Sequence, residues 1–202
     1  MRVAASSYAS LAEVYRDGSY APFTRAMRLA GTTQVALVRF AQPAGEYPDP
    51  PTPDFTLARN ERGSGRMRFD IGDGRQDLPF RSGDLVLKAP DVATRFAVTG
   101  AHQKSFISLP AALVGRLAAE VSGGGAADFG ALHAGVFRSP TALRLLDLMW
   151  AEPATDSAHG RLFNDGAVLA QALGSTTTTT TTIKGSTTCN TRSSNSSRML
   201  MA

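Results

Sequence analysis

The clearest pattern along the chain is an alternation of apolar and charged residues in its middle. Met67, Phe69 and Ile71 are separated by single charged residues, which gives a strand one apolar face and one face exposed to solvent. Further short segments of strand character surround it, separated by glycine or proline turns. The predicted strands cover residues 34–41, 55–61, 66–71, 76–80, 84–88, 94–98 and 104–109. Short strands at this spacing, joined by glycine turns, predict an antiparallel barrel or sandwich.

The residues before these strands show less regular patterns. Apolar residues around Leu11 have a weak helical spacing, and residues 22–29 have a second one, so two short helices are predicted there. The segment 43–53 contains five prolines. Because proline cannot donate a backbone hydrogen bond, this segment is predicted to be a surface loop.

After the strands the apolar residues recur at helical spacing. One helix is predicted from residue 110 to residue 121, since Pro110 fits the first turn of a helix. Ser139 followed by Pro140 predicts the start of a second helix, with serine as its N-cap. A third is predicted over residues 159–173. The last two helices are expected to lie antiparallel, as a helical hairpin.

The end of the chain differs sharply in composition. Seven consecutive threonines occupy positions 176–182, within a segment, 175–202, that is rich in serine and threonine throughout. Such a segment has too little apolar surface to form a core, so it is predicted to be disordered. We also interpret it as the product of a frameshift or truncation rather than native domain sequence.

Charge and cysteine content narrow the function classes. The net charge of +4 and the isoelectric point near 9.6 first indicate nucleic acid. Lys184, Arg192 and Arg198 lie in the acid-free tail, however, so residues 1–174 are close to neutral. The single cysteine, Cys189, allows no internal disulfide. No apolar run is long enough for a membrane helix or a signal peptide, and a cytoplasmic location is therefore expected.

The segment Ser82–Arg95 carries a family resemblance. A Gly-Asp turn opens a short apolar strand, a Pro-Asp turn ends it, and a second strand begins at Thr94. This order resembles the second motif of the cupin barrel. In that motif a metal-binding histidine follows the proline turn, and Arg95 stands at or near that position here.

Several other strings resemble the N-terminal regulatory domain of AraC-type transcription regulators. The likeness extends over roughly residues 30–173 and depends on the order and spacing of these strings. They are Gln42–Tyr47, Gly63–Arg66, Arg81–Leu87, Asp128–His133 and Leu148–Glu152.

The resemblance implies a fold that is mainly β with some α. It consists of a cupin-like antiparallel β-barrel followed by a C-terminal helical hairpin. The implied divisions are an N-terminal arm (1–30), the barrel (31–109), a helical linker and dimerisation hairpin (110–174) and the disordered tail (175–202).

The same resemblance implies a role in transcription regulation. In that family the barrel binds a small-molecule effector and the hairpin helices join two subunits in a homodimer. DNA is bound only through a helix-turn-helix domain, which we do not find in this sequence. No membrane partner and no cofactor are expected.

Catalytic chemistry finds little support among the residues. The histidines, His102, His133 and His159, share no metal-ligand spacing, and no serine or cysteine nucleophile motif is present. No catalytic residue and no metal site are predicted, and the chain is predicted not to be an enzyme. A cupin-fold enzyme, with or without metal, and a dimerisation scaffold remain the alternatives.

The candidate ligand-binding residues are Arg59, Met67, Phe69, Arg95 and Phe96. The three apolar side chains would form a wall, and the two arginines would orient an anionic or hydroxylated ligand. The alternative is that the apolar residues are ordinary core and the arginines lie at a solvated edge.

The candidate dimer-interface residues are Leu143, Leu146, Met149 and Trp150, at helical spacing. Their alternative role is to pack the hairpin onto the barrel, because most apolar stripes at this spacing belong to a core.

Overall fold

The computed structural model describes residues 8–33, 35–71, 74–122, 135–151 and 165. The helices among them are α1 (Leu11–Arg16), one 3₁₀ turn (Ala21–Phe23), α2 (Ala111–Ser122) and α3 (Pro140–Ala151). The strands are β1 (Thr24–Ala30), β2 (Val35–Gln42), β3 (Gly45–Asp49), β4 (Asp54–Arg62), β5 (Gly65–Asp70), β6 (Gln76–Phe80), β7 (Leu85–Lys88), β8 (Thr94–Val98), β9 (His102–Pro110) and β10 (Val136–Phe137).

These strands form two antiparallel sheets. The six-stranded sheet has the order β1-β2-β9-β4-β7-β10, and the four-stranded sheet has the order β3-β8-β5-β6. No ladder joins the two sheets within the described residues. The mainly antiparallel β fold is as predicted, and in this part of the chain it consists of two sheets rather than a closed barrel. Short strands with glycine turns are common to both architectures, and their spacing does not decide whether the sheet closes.

The predicted alternation of β5 is confirmed. Met67 and Phe69 are buried, and the charged residues between and beside them are exposed. Ile71, directly after the strand, is buried as well.

Two segments differ from the prediction. The predicted loop 43–53 contains β3, which lies at the edge of the four-stranded sheet and pairs only with β8. Pro48 is tolerated there because an edge strand leaves part of its backbone unpaired. The predicted helix over 22–29 is wrong, because β1 pairs with β2 along its length. Pairing with a neighbouring strand overrides a weak helical pattern.

The six-stranded sheet has both faces covered. Side chains alternate along β9, so Ile107 and Leu109 face the helices, whereas Phe106 belongs to the cluster between the sheets. The helix-facing core also includes Leu146 and Met149 of α3. The space between the sheets is therefore separated from the helices by the six-stranded sheet.

Helix α1 covers one side of the space between the sheets. Ser10 caps it, and its hydroxyl accepts a hydrogen bond from Glu13 N. Asp54, the first residue of β4, accepts from Leu11 N at 3.2 Å and from Ser108 Oγ. The buried Asp54 carboxylate thus ties the start of α1 to the six-stranded sheet.

The predicted helical hairpin stays a prediction. Helix α3 begins as expected, with Ser139 Oγ accepting from Ala142 N at 3.2 Å. Of the predicted helix over 159–173, only Asp165 is described, and it accepts two hydrogen bonds from Thr32, each at 2.8 Å. The tail 175–202 lies outside the described residues. Among the helices that are described, none has the length and apolar character needed to cross a bilayer.

Candidate functional site

An interior cavity lies between the two sheets and beneath α1. Its aromatic lining residues are Tyr15, Phe40, Tyr47, Phe80, Phe96 and Phe106. Its polar lining residues include Gln42, Asp49, Asn60, Lys88, His102 and Lys104. A largely apolar wall with a few polar groups is the usual composition of a small-molecule site.

The size of the cavity limits what it can hold. The cavity has a volume of about 60 Å³. One water needs roughly 10–15 Å³ of such space, so the cavity has room for several waters or for a small organic molecule, such as one with a single aromatic ring.

Lys104 is the most unusual group of the cavity. Its Nζ donates to the Met67 Sδ at 3.4 Å and lies 5.4 Å from the ring centroid of Phe96 and 6.0 Å from that of Phe80. None of the ion pairs within the described residues includes it. Burial lowers the pKa of Lys104 to about 8, although the charge of Asp49 opposes this shift.

Lys88 has a different environment in the same cavity. Its Nζ donates to the Pro50 carbonyl at 2.9 Å, and the side chain is buried. Burial lowers the pKa of Lys88, and the charges of Asp49 and Asp54 oppose that shift. The ammonium of Lys88 therefore has both an oxygen acceptor and two opposing charges.

Asp49 is the carboxyl group of the cavity. Burial raises its pKa to about 6, although Lys88, Lys104 and a hydrogen bond from Thr94 oppose the shift. The Thr94 hydroxyl lies 3.5 Å from the Asp49 Oδ2. Near neutral pH this carboxyl is close to the point at which it gains or loses a proton.

His102 is neutral and rigidly held. Its Nδ1 lies 3.1 Å from the Gly100 carbonyl oxygen, which can only accept, so Nδ1 carries the proton and Nε2 has the lone pair. Burial, with the charge of Lys104, lowers the pKa of His102 to about 4. The rings of Phe40, Tyr47 and Phe80 meet it edge-on.

Two further polar atoms at the cavity have no hydrogen-bond partner among the described residues. They are Asn60 Oδ1 and Gln42 Nε2. The Asn60 amide is oriented by its Nδ2, which donates to the Gly63 carbonyl at 3.2 Å. Buried polar atoms of this kind usually have a partner, and a bound molecule would supply one.

No metal centre is evident in this part of the chain. Across the ranges described, no three His, Cys, Asp or Glu side chains are placed to hold a metal ion. The absence of a metal in the working protein stays a prediction.

Helix α1 contributes directly to the wall of the cavity. The Tyr15 ring lies 4.6 Å from that of Phe40 and 5.2 Å from that of Phe106, between centroids. Burial raises the pKa of Tyr15 well above its usual value, so its hydroxyl stays protonated. Leu11 also lines the cavity, so a ligand would touch α1 as well as both sheets.

The five predicted ligand-binding residues differ in their position relative to the cavity. Met67 and Phe96 line the cavity, and Phe69 stacks on Phe96 at 5.9 Å between ring centroids. Arg59 borders the cavity, but its guanidinium pairs with Asp147 of α3.

Arg95 lies away from the cavity. Its side chain is 72% exposed and approaches Glu46 at 3.9 Å, on the outer surface of the four-stranded sheet. Neighbouring positions of β8 point to opposite faces, so Phe96 faces inward and Arg95 outward. A ligand-binding role for Arg95 stays a prediction that this placement does not favour.

The four predicted dimer-interface residues belong to the contact between α3 and the six-stranded sheet. Leu146 and Met149 are buried there, and Leu143 and Trp150 pack against the same core. The guanidinium of Arg39 lies 4.3 Å from the Trp150 ring centroid. Packing is thus their observed role, and a role in a dimer stays a prediction.

Sequence reasoning missed the charged groups of the cavity. The position of Lys104 could have been inferred, because Lys104 and Phe106 are two residues apart on β9 and therefore point to the same face of the sheet. Lys88 and Val86 are likewise two residues apart on β7 and share a face. Asp49 could not be found by this route, because the prolines around it concealed β3.

Comparison with known proteins finds no family model and no curated protein that matches the chain. Several solved structures resemble part of the chain. A putative ethanolamine utilization protein Q from Salmonella typhimurium is 9% identical over 41% of this chain and 66% of its own, with a TM-score of 0.33. A cupin protein from Bacteroides fragilis is 15% identical over 38% of this chain and 65% of its own, with a TM-score of 0.31. The matched region spans less than two thirds of either protein.

One comparison corrects an expectation. The chain also resembles hydroxypropylphosphonic acid epoxidase from S. wedmorenis, with 7% identity over 37% of this chain and 43% of the enzyme and a TM-score of 0.32. The prediction that the chain is not an enzyme is therefore corrected, because the structures that resemble part of the chain include enzymes. A likeness at this level concerns the fold and assigns no activity to this chain.

Proposed function

We propose that this protein is a small-molecule-binding domain of the kind that AraC-type transcription regulators carry at their N-terminus. The observation that carries the proposal is the interior cavity, with its aromatic walls and its incompletely partnered polar groups. An ordinary core is packed without such space. The cavity size favours a ligand with one ring or a short chain.

Helix α1 supports a regulatory use of this site. It lies on the cavity through Leu11 and Tyr15 and is held to the sheet by the Asp54 carboxylate. A ligand that contacts α1 in the closed arrangement favours that arrangement over an open one, which is a population shift. The effector would thereby change the surface of the domain.

Filling the cavity tests the proposal. Ala58 lines the cavity from β4, and Ala58→Phe would place a ring in the space that a ligand would occupy. We expect the wild-type protein to be stabilised by members of a panel of small aromatic and aliphatic acids and alcohols, and the variant to lose that response. The measurement is the shift in melting temperature with each compound.

Arg95→Ala is the matched control. Because Arg95 is exposed on the outer surface, its removal should leave the ligand response unchanged. Stabilisation of wild type and Ala58→Phe to the same extent would contradict binding in the cavity. Loss of the response in Arg95→Ala would move the site to the outer surface.

Assembly is a separate part of the proposal. We propose that the domain forms a homodimer, as the resemblance implies, through surface other than the buried Leu146 and Met149. Sedimentation velocity of the purified protein tests this, with and without ligand. A monomer under both conditions would contradict the homodimer and leave the cavity proposal standing.

A further inference from the structure

The geometry points to a specific class of ligand: a small monocarboxylate whose carboxylate pairs with the ammonium of Lys104 and whose apolar part fills the aromatic cavity. This inference rests on the proposed binding function and names the chemistry of its ligand. It follows from the different environments of the two lysines that face the cavity.

Lys104 has donors without matching acceptors. An ammonium has three N–H groups, and the contacts of Lys104 in the described residues are a thioether sulfur and two aromatic faces. Sulfur is a weak acceptor, and ring faces are modest substitutes for an oxygen. Lys104 is partly buried, and an ammonium whose contacts are such weak acceptors is stabilised by an anionic partner.

The carboxylates that the structure describes at the cavity do not fill this role. Asp49 lies beyond ion-pair distance of Lys104, and its charge acts on both cavity lysines. Asp84 borders the cavity but pairs with Arg138 at 2.8 Å. Asp54 is engaged by α1 and Ser108. Among the described residues no free oxygen acceptor reaches Lys104, and a ligand carboxylate would supply one.

Lys88 provides the contrast that makes the inference specific. Its ammonium already donates to the Pro50 carbonyl, and both Asp49 and Asp54 act on it. A ligand carboxylate gains most by approaching the lysine that lacks an oxygen acceptor.

The walls around Lys104 set the rest of the ligand. Met67, Phe80 and Phe96 surround the ammonium, so the atoms next to the carboxylate must be apolar. Because the cavity is small, benzoate and hexanoate are suitable probes. Benzyl alcohol and benzylamine have nearly the same shape as benzoate but a neutral and a positive group, respectively.

The experiment compares these four compounds on wild type, Lys104→Met and Lys88→Met by NMR titration of the full chain. Methionine keeps the length and apolar body of lysine. We expect benzoate and hexanoate to bind wild type more tightly than benzyl alcohol, with benzylamine the weakest. Lys104→Met should bind the two acids about tenfold to a hundredfold more weakly than wild type. Its affinity for benzyl alcohol should be unchanged, which would show that the cavity of the variant is intact. Lys88→Met should lose much less.

Other binding results would contradict the carboxylate inference. Equal binding of benzoate and benzyl alcohol, or an unchanged benzoate affinity in Lys104→Met, overturns the carboxylate inference while the binding function stands. A larger loss in Lys88→Met than in Lys104→Met also overturns it. Binding by none of the four compounds overturns both the inference and a cavity of this ligand size.

Discussion

Asp49 illustrates how a single buried side chain makes stability depend on pH. Its pKa is about 6 in the folded protein, against an ordinary value of 3.8. A raised pKa means that folding favours the protonated form. The contribution is fully present below the ordinary pKa and is lost as the pH rises through about 6. Each pKa unit corresponds to about 1.36 kcal/mol, so the change amounts to about 3 kcal/mol.

Asp49→Asn isolates this effect. The neutral amide resembles the protonated carboxyl in shape, so the variant should match wild type near pH 4 and exceed it above pH 7. Urea denaturation at several pH values measures the difference, which should be about 2–3 kcal/mol at neutral pH. A constant difference between the two proteins across this range would show that Asp49 ionises without cost.

The charged residues of the cavity also show where residue-level prediction succeeds. Lys104 lies two residues from both His102 and Phe106 on β9, so a predicted strand places all three side chains on one face. The lack of an oxygen partner for Lys104 among the described residues could not be predicted, because the contacts of Lys104 come from side chains on β5, β6 and β8. Pairing of this kind is set by the tertiary arrangement.

At the scale of elements, α3 has a role that its sequence left open. Leu146 is fully buried against the six-stranded sheet, whereas Leu148, two positions along the same helix, is 40% exposed. Leu146→Ala should therefore destabilise the protein by about 3–5 kcal/mol by leaving a void. Leu148→Ala is the matched control and should change stability by about 0.5 kcal/mol or less.

Chemical denaturation of both variants gives the two free energies of unfolding. A small loss for Leu146→Ala would mean that α3 packs loosely on the sheet. Retention of any dimer in Leu146→Ala, with reduced stability, would agree with a core position. Dissociation without loss of stability would instead favour the dimer role.

Elements with strong local signals were predictable, and those fixed by partners were not. β6 and β8 occupy the predicted residues, and α3 starts at its predicted cap. β1 and β3 were missed because each depends on a neighbour, β2 and β8 respectively. An edge strand with proline carries almost no local strand signal, and only the ladder beside it reveals it.

At the scale of the molecule, the order of the strands depends on pairings between distant segments. β9 lies between β2 and β4, and its partners precede it by more than forty residues along the chain. Hairpin signals predict only adjacent pairings such as β5 with β6. The sequence therefore predicts a β-rich class of fold, whereas the separation into two sheets, and with it the cavity, follows from long-range pairing.

That separation leads to a prediction about how a bound ligand acts on the whole domain. The cavity touches α1 through Leu11 and Tyr15, whereas α3 packs on the opposite face of the six-stranded sheet. A ligand in the cavity should therefore suppress local opening of α1 and leave local opening of α3 unchanged. Hydrogen exchange with saturating benzoate should slow for the amides of residues 11–20, by a factor that rises with ligand concentration.

The amides of α3 that exchange by local opening provide the internal reference, and their rates should stay the same. Ala58→Phe, with its cavity filled, should show no response to benzoate in either helix. An equal slowing of both helices would mean that the ligand stabilises the domain only as a unit. In that case α1 is a fixed wall of the cavity, and ligand binding changes a different surface of the domain.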